Sequence, residues 1–349
     1  MKKKLENRKN NKSIIVSTLI FVITFIAMAG YLIYFNLTQA ESIINNSYNK
    51  RQGVLSRRTI RGSILSDDKT KLAVTNVDDD GNETRYYPYS GLFSHTIGYL
   101  NNGGYGLESL YGYYMLHSNQ NFFEQIGNDL SGNRNTGDNV VTTLNVGLQK
   151  ACYDALGSNR GAVIVMEPST GKILAMVSKP DFDPNTLAAN WSQITGEGSD
   201  SVLVNRATQG LYPPGSTFKL ITMLEYLREH KNDYGQYHYI CDGTYELGNN
   251  TINCVRTTAH GDVDLFSSLA VSCNCSFINI GLSLDLDRYK KTAEKMLFNK
   301  ELPTNLEYNK SRFVLNGESS EWDIAQTSFG QGKTVITPFH LALITCTIA

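Results

Sequence analysis

Residues Ile14 to Phe35 form a run of 22 residues without a single charge. At 1.5 Å of rise per residue, a helix of this length spans the roughly 30 Å hydrocarbon core of a bilayer. Buried helices of water-soluble folds are rarely this long and charge-free, so the run predicts a chain divided between membrane and water. Residues 1–12 carry Lys2, Lys3, Lys4, Arg8, Lys9 and Lys12 against Glu6 alone, whereas the remainder holds 26 Lys and Arg against 32 Asp and Glu. A positive flank ahead of a span is retained on the cytoplasmic side. The reading is therefore a single-pass plasma-membrane protein with a cytoplasmic N-terminus and an extracytoplasmic body. Tyr31 and Tyr34 stand at the far end of the run, where amphipathic rings favour the interface. A cleaved signal peptide is the alternative, with Thr38-Gln39-Ala40 as a passable cleavage site, but the run exceeds the usual 7–15-residue signal core. A net charge of −1 argues against a nucleic-acid partner.

The 349 residues suggest two domains beyond the anchor. Residues 36–60 are polar with scattered apolar positions and read as a juxtamembrane helix or stalk. Residues 61–140, rich in Gly, Tyr and Asn, lack a long helical period and read as strands and loops. Asn145 is placed to cap a helix over Val146–Leu156. A hairpin follows, with arms Gly161–Glu167 and Lys172–Ser178 around a turn at Pro168-Ser-Thr-Gly171. The expected division is a basic tail (1–12), an anchor (13–35), a juxtamembrane pedestal (36–150) and a catalytic domain (151–349).

The chemistry begins at Leu211-Tyr-Pro-Pro-Gly-Ser-Thr-Phe-Lys219. Ser216 and Lys219 stand three residues apart, which on a helix puts them on one face. A lysine held neutral is the base that a serine nucleophile needs. The spacing also occurs at Ser47/Lys50, Ser66/Lys69 and Ser169/Lys172. Only Ser216 follows Pro-Pro-Gly, which stops the preceding structure and frees a helix to start. Phe218, Leu220, Ile221, Met223, Leu224 and Leu227 then make a nearly all-round apolar surface, as on a buried central helix. A plain serine N-cap on a core helix is the competing reading. Ser272-Cys273-Asn274, 56 residues on, adds a second element, although Ser47-Tyr-Asn49 and Ser131-Gly-Asn133 share its pattern.

In this order and context the sequence resembles a class B penicillin-binding protein, a membrane-anchored peptidoglycan D,D-transpeptidase. Arg61-Gly-Ser-Ile64 with Leu72-Ala73, and Tyr105-Gly-Leu-Glu108, resemble segments that follow the anchor in that family. Asn205-Arg-Ala-Thr-Gln209, Pro213–Lys219, His260-Gly261 with Ser272-Cys-Asn274, and Phe329-Gly-Gln-Gly332 with Thr337-Pro338 resemble its catalytic domain. The resemblance implies an α/β fold of the α+β type: an antiparallel sheet with helices on both faces, the active serine starting a central helix. It implies catalytic roles for Ser216, Lys219 and Ser272, and substrate binding by Asn274. It also implies peptidoglycan stem peptides and β-lactams as ligands, a membrane glycosyltransferase and other cell-wall assembly proteins as partners, and no cofactor. Other serine acyl enzymes of the superfamily and a non-catalytic cell-wall scaffold are the alternatives.

The sequence departs from the family at one point. Its Lys-Thr-Gly element, which borders the cleft, is missing, and Lys333-Thr334 runs into Val335 instead. With the apolar ending His340–Ala349, this predicts a C-terminally truncated gene product, poorly folded and with little turnover. Cysteines supply the last pattern. His238-x2-Cys241-x12-Cys254-x5-His260 resembles zinc-ligand spacing. A hairpin over 238–257, turning near Leu247-Gly-Asn-Asn250, would instead set Cys241 opposite Cys254 as a disulfide or two free thiols. The expectation is therefore no metal, with Cys273 an indifferent middle residue.

Overall fold

The computed structural model describes residues 2–39, 55–196 and 198–349. A continuous helix covers Lys2–Thr38, and none of its most apolar window within Ile14–Thr38 is buried among the described residues. Thr18 and Thr24 donate their hydroxyls to the carbonyls of Ile14 and Ile20 at 2.9 and 2.8 Å, the internal satisfaction that hydrocarbon demands. By length and composition this helix is able to cross a membrane, and among the described residues no second one is. Most of the expected stalk, with Ser47, Asn49 and Lys50, lies outside the described residues.

The pedestal enters as a short strand, Thr59–Ile60, paired in parallel with Asn135–Thr136. Ile64–Leu65 pairs in parallel with Val140–Val141 and antiparallel with Lys71–Val77, which in turn pairs with Glu83–Tyr86. Short helices at Ser94–Ile97, Gly106–Leu110, Gly112–Leu116 and Phe122–Leu130 fill a segment expected to be strands and loops. The first three, at four or five residues, are too brief to show a helical period in the sequence. Ile97, Leu107 and Met115 on them close a core over Ile64, Leu72 and Phe93.

Two of the family-like segments meet inside this core. Arg61 Nε donates to Glu108 Oε2 at 2.9 Å, and Arg85 Nε donates to Glu108 Oε1 at 2.7 Å. The Glu108 side chain is fully buried. Gly62 is required beside Arg61, since a Cβ there would lie 1.9 Å from the Asp138 carbonyl oxygen.

Asn145 caps the helix Val146–Leu156 by accepting the Leu148 N–H at 2.9 Å. The division expected at residue 150 runs through this helix, which packs on the hairpin Gly161–Met166/Ile173–Lys179 through Leu148, Cys152, Val163 and Val177. Among the described residues this hairpin is the antiparallel sheet of the second half, with smaller pairs at His238–Cys241/Gly261–Asp264 and Thr244–Leu247/Asn250–Asn253. The last two replace the single hairpin expected over 238–257. Gly243, at φ +100°, ends the inner pair early, and Cys241 passes to a different partner strand.

The helix Lys219–Glu229 sits at the centre of the largest core among the described residues, with Phe218, Ile221 and Tyr226 against Phe277, Tyr289, Phe298 and Phe313. The Phe218 ring meets that of Phe298 edge-on at 5.6 Å and stacks on Phe313 at 6.1 Å, geometries that favour aromatic pairs. Leu220 departs from the all-round apolar expectation and is 39% exposed. The C-terminal helix Pro338–Ile348 starts with Thr337 accepting the His340 N–H at 3.2 Å and Pro338 in its first turn, so Thr-Pro acts here as a helix-start signal.

Candidate active site

Pro213-Pro-Gly does not start the α-helix directly. Gly215, at φ +61°, opens a 3₁₀ turn over Gly215–Phe218, and the α-helix begins at Lys219. Ser216 therefore precedes the helix by one tight turn and is exposed, while Lys219, three residues on, is completely buried. In a 3₁₀ turn residues i and i+3 eclipse, so the predicted pairing survives the change of helix type. Phe329-Gly-Gln-Gly332 holds this turn from outside: Gly215 N–H donates to the Gly330 carbonyl at 2.8 Å. Gly330 has φ +79°, and a Cβ there would lie 1.9 Å from the Gly215 carbonyl oxygen, so only glycine lets the two backbones approach.

The second element arrives from the end of the helix Leu265–Ala270. Cys273 N–H returns to the Ser268 carbonyl at 2.9 Å and Ser272 N–H to the Leu269 carbonyl at 3.0 Å. This is the Schellman pattern, with Ser272 at the left-handed position usually taken by glycine. Its φ of +52° carries a strain of about 1–3 kcal/mol. The turn aims both the Ser272 carbonyl and its hydroxyl at Lys219. Asn274 then opens the next helix, Asn274–Ser283.

The four predicted residues converge. Lys219 Nζ lies 3.3 Å from Ser216 Oγ, 3.0 Å from Ser272 Oγ, 2.7 Å from the Ser272 carbonyl oxygen and 2.8 Å from Asn274 Oδ1. Ser272 Oγ is 3.0 Å from Ser216 Oγ. The Ser272 carbonyl and Asn274 Oδ1 can only accept. When the amine is neutral they can take both its N–H bonds and leave its lone pair for the two hydroxyls. Burial disfavours the ammonium and lowers the Lys219 pKa to about 8, with the nearby Cys273, Cys254 and Cys275 opposing the shift. Asn274 Nδ2 donates to the Asn253 carbonyl at 3.0 Å. An amide nitrogen carries two donors, so one remains for a ligand. Asn253 was not foreseen, because a backbone carbonyl leaves no mark in the sequence.

The two look-alike pairs among the described residues do not assemble in this way. Ser66 is buried and bonded to Asp68 in an acidic turn, with Lys69 exposed at φ +68°. Ser169 and Lys172 are exposed in the hairpin turn. Lys333, from the truncated-looking Lys-Thr pair, faces Asp323 at 3.1 Å.

The family model of the penicillin binding protein transpeptidase domain matches residues 161–349, more than half of the chain. The chain belongs to this family. A penicillin binding protein A dimerisation domain matches residues 61–140 of this penicillin-binding protein. The peptidoglycan D,D-transpeptidase PbpA of Mycolicibacterium smegmatis is 31% identical over 290 residues, covering 77% of this chain and 57% of the relative. The PbpA of Mycobacterium tuberculosis is 34% identical over 247 residues, covering 65% of this chain and 49% of the relative. Among solved structures, penicillin-binding protein A from M. tuberculosis as an imipenem acyl-enzyme complex aligns with a TM-score of 0.74 at 28% identity, covering 83% of this chain and 71% of that one. The chain spans about half the length of the curated relatives it matches. The fold is thus the mixed α/β fold of the penicillin-binding transpeptidases.

Proposed function

We propose that the protein crosslinks peptidoglycan by serine acyl transfer on stem peptides ending in D-alanyl-D-alanine, and that β-lactams acylate the same serine. The observation that carries this reading is the buried Lys219 amine within hydrogen-bonding distance of both Ser216 and Ser272. The relatives named as D,D-transpeptidases and the imipenem acyl-enzyme of a similar structure support it.

The reaction balances on four side chains. Lys219 takes the Ser216 proton as Oγ bonds to the penultimate D-alanine carbonyl. The carbon–nitrogen bond to the terminal D-alanine breaks, and Ser272 relays the proton from Lys219 to the departing amine. Asn274 holds the substrate amide through its free N–H. An amine from a neighbouring stem peptide then attacks the ester, gives its proton back through the same path and regenerates Ser216. Part of the oxyanion stabilisation belongs, in the family, to the strand bearing Lys-Thr-Gly, and losing one oxyanion donor costs about 100–1,000-fold in rate. We divide the chain into an anchor, a pedestal and an acyl-transfer unit opening near the helix Val146–Leu156. A separate membrane glycosyltransferase would supply the glycan strands.

Fluorescent penicillin bound by the protein in its own membranes should map to the peptide containing Ser216, and Ser216→Ala should remove the label. A label on Ser66 or Ser169 would refute the reading. Rapid turnover of a chromogenic cephalosporin would favour a β-lactamase.

The body is proposed to lie outside the cytoplasm, from the six basic residues ahead of the apolar helix. Protease added to intact cells freed of their wall should degrade the body and spare residues 1–35. Full protection would reverse the orientation and remove access to the substrate.

A further inference from the structure

Four cysteines and a histidine gather directly behind the active site. Cys241 ends the strand His238–Cys241, Cys254 follows the strand Asn250–Asn253, and His260 precedes the strand Gly261–Asp264. Cys273 stands between Ser272 and Asn274, and Cys275 follows. All four cysteines are at most 2% exposed. The donor atoms of Cys241, Cys254, His260 and Cys273 lie within 4.8 Å of one another.

The spacings within this group are specific. Cys254 Sγ lies 3.8 Å from Cys241 Sγ and 3.8 Å from Cys273 Sγ, and Cys241 Sγ lies 3.5 Å from His260 Nδ1. A tetrahedron with zinc–sulfur bonds of about 2.3 Å and a zinc–nitrogen bond of about 2.05 Å has edges of about 3.8 Å between sulfurs and about 3.5 Å from sulfur to nitrogen. A disulfide between Cys241 and Cys254 would join only two of these atoms and leave Cys273 and His260 convergent for no reason.

We propose that Cys241, Cys254, Cys273 and His260 bind one zinc ion that braces the wall of the active site. Three thiolates and an imidazole suit zinc in softness and geometry, and the closed set of four protein ligands is that of a structural site. Binding displaces three thiol protons, and the ion with its three thiolates carries one net negative charge. Cys275 Sγ, 3.4 Å from Cys254 Sγ and outside the set of four, serves as an S–H donor to that ligand. Cys273 Sγ also accepts the Ser276 N–H at 3.3 Å, at the positive end of the helix Asn274–Ser283.

The site would matter to the reaction through position. Cys254 follows Asn253, whose carbonyl holds Asn274, and Cys273 separates the two residues that hold Lys219. One ion thus ties three loops to the Ser272–Asn274 wall.

The test is metal analysis of the full chain, purified in detergent without reductant after growth with zinc. About one zinc per chain is expected. Cys254→Ser and His260→Ala should each lower it to background or to weakly held metal, while Cys275→Ala should keep it. Because Cys254→Ser risks misfolding, the wild-type protein provides a second measurement. Exchange with cobalt(II) should give the intense visible bands of a tetrahedral site and a thiolate charge-transfer band, and a thiol-blocking mercurial should release the ion. Metal-free protein whose mass shows a Cys241–Cys254 disulfide, iron in place of zinc, or zinc content indifferent to Cys254→Ser and His260→Ala would each overturn the proposal.

Discussion

Lys219→Ala should slow acylation by labelled penicillin by about 10²–10⁴-fold, the usual contribution of a positioned general base. The residue lies in a pocket that penalises its charged form, at a pKa of about 8, so protonation competes with catalysis close to neutrality. The sign follows from which form works. In the proposed mechanism the neutral amine is the base, and below about pH 8 its fraction falls about tenfold per pH unit. Acylation by the wild-type protein should therefore rise through this range and level off above it, and the slope should vanish in Lys219→Ala. Lys219→Arg should not rescue the rate, because a guanidinium stays protonated. Stopped-flow acylation from about pH 6 to 10 checks this, with circular dichroism to show that the variant is folded. A wild-type rate that is flat with pH would mean that another group takes the Ser216 proton.

Glu108→Ala should be the most damaging single change outside the active site. The carboxylate is buried and answers two guanidinium groups, Arg61 and Arg85. Removing it leaves two cations facing each other out of reach of water, and breaking a buried pair in this way costs about 3–5 kcal/mol. For a body of this size that corresponds to a loss of about 10 °C in melting temperature. Glu108→Gln keeps one acceptor oxygen but turns an NH2 group toward the other guanidinium, so it should recover only a small part of the loss. Melting of Glu108→Ala within about 1 °C of wild type, followed in detergent, would show that the triad is stabilised from elsewhere.

The same triad marks where sequence reading stopped. The Arg61 and Glu108 segments were both legible as patterns, but their contact spans 47 residues and leaves no periodic trace. At the candidate site, the convergence of Ser216, Lys219, Ser272 and Asn274 was legible because local breakers, Pro-Pro-Gly ahead of one pair and a helix end ahead of the other, set them apart from their look-alikes. The 3₁₀ start was not legible. It depends on Gly215 at positive φ held by Gly330, a residue 115 positions away. The cysteine cluster was half legible. Two sulfurs carried a spacing that sequence could weigh. Cys273 looked like filler because its role depends on how the Ser272 turn presents it to strands far back in the chain. The hairpin at 161–179 and the Asn145 cap came through intact because both rest on neighbours in sequence.

The first strands of the pedestal also bear on how the body withstands load. Thr59–Ile60 and Ile64–Leu65 each lie parallel to a partner strand, Asn135–Thr136 and Val140–Val141. A pull between the start of these strands and the chain that follows their partners would run along the axis of these ladders. Their hydrogen bonds are then sheared together rather than peeled one after another. Resistance to such a pull is a matter of unfolding rate rather than equilibrium stability. On the proposed arrangement, membrane at one end and wall substrate at the other, stretching of the envelope would load these two ladders in shear.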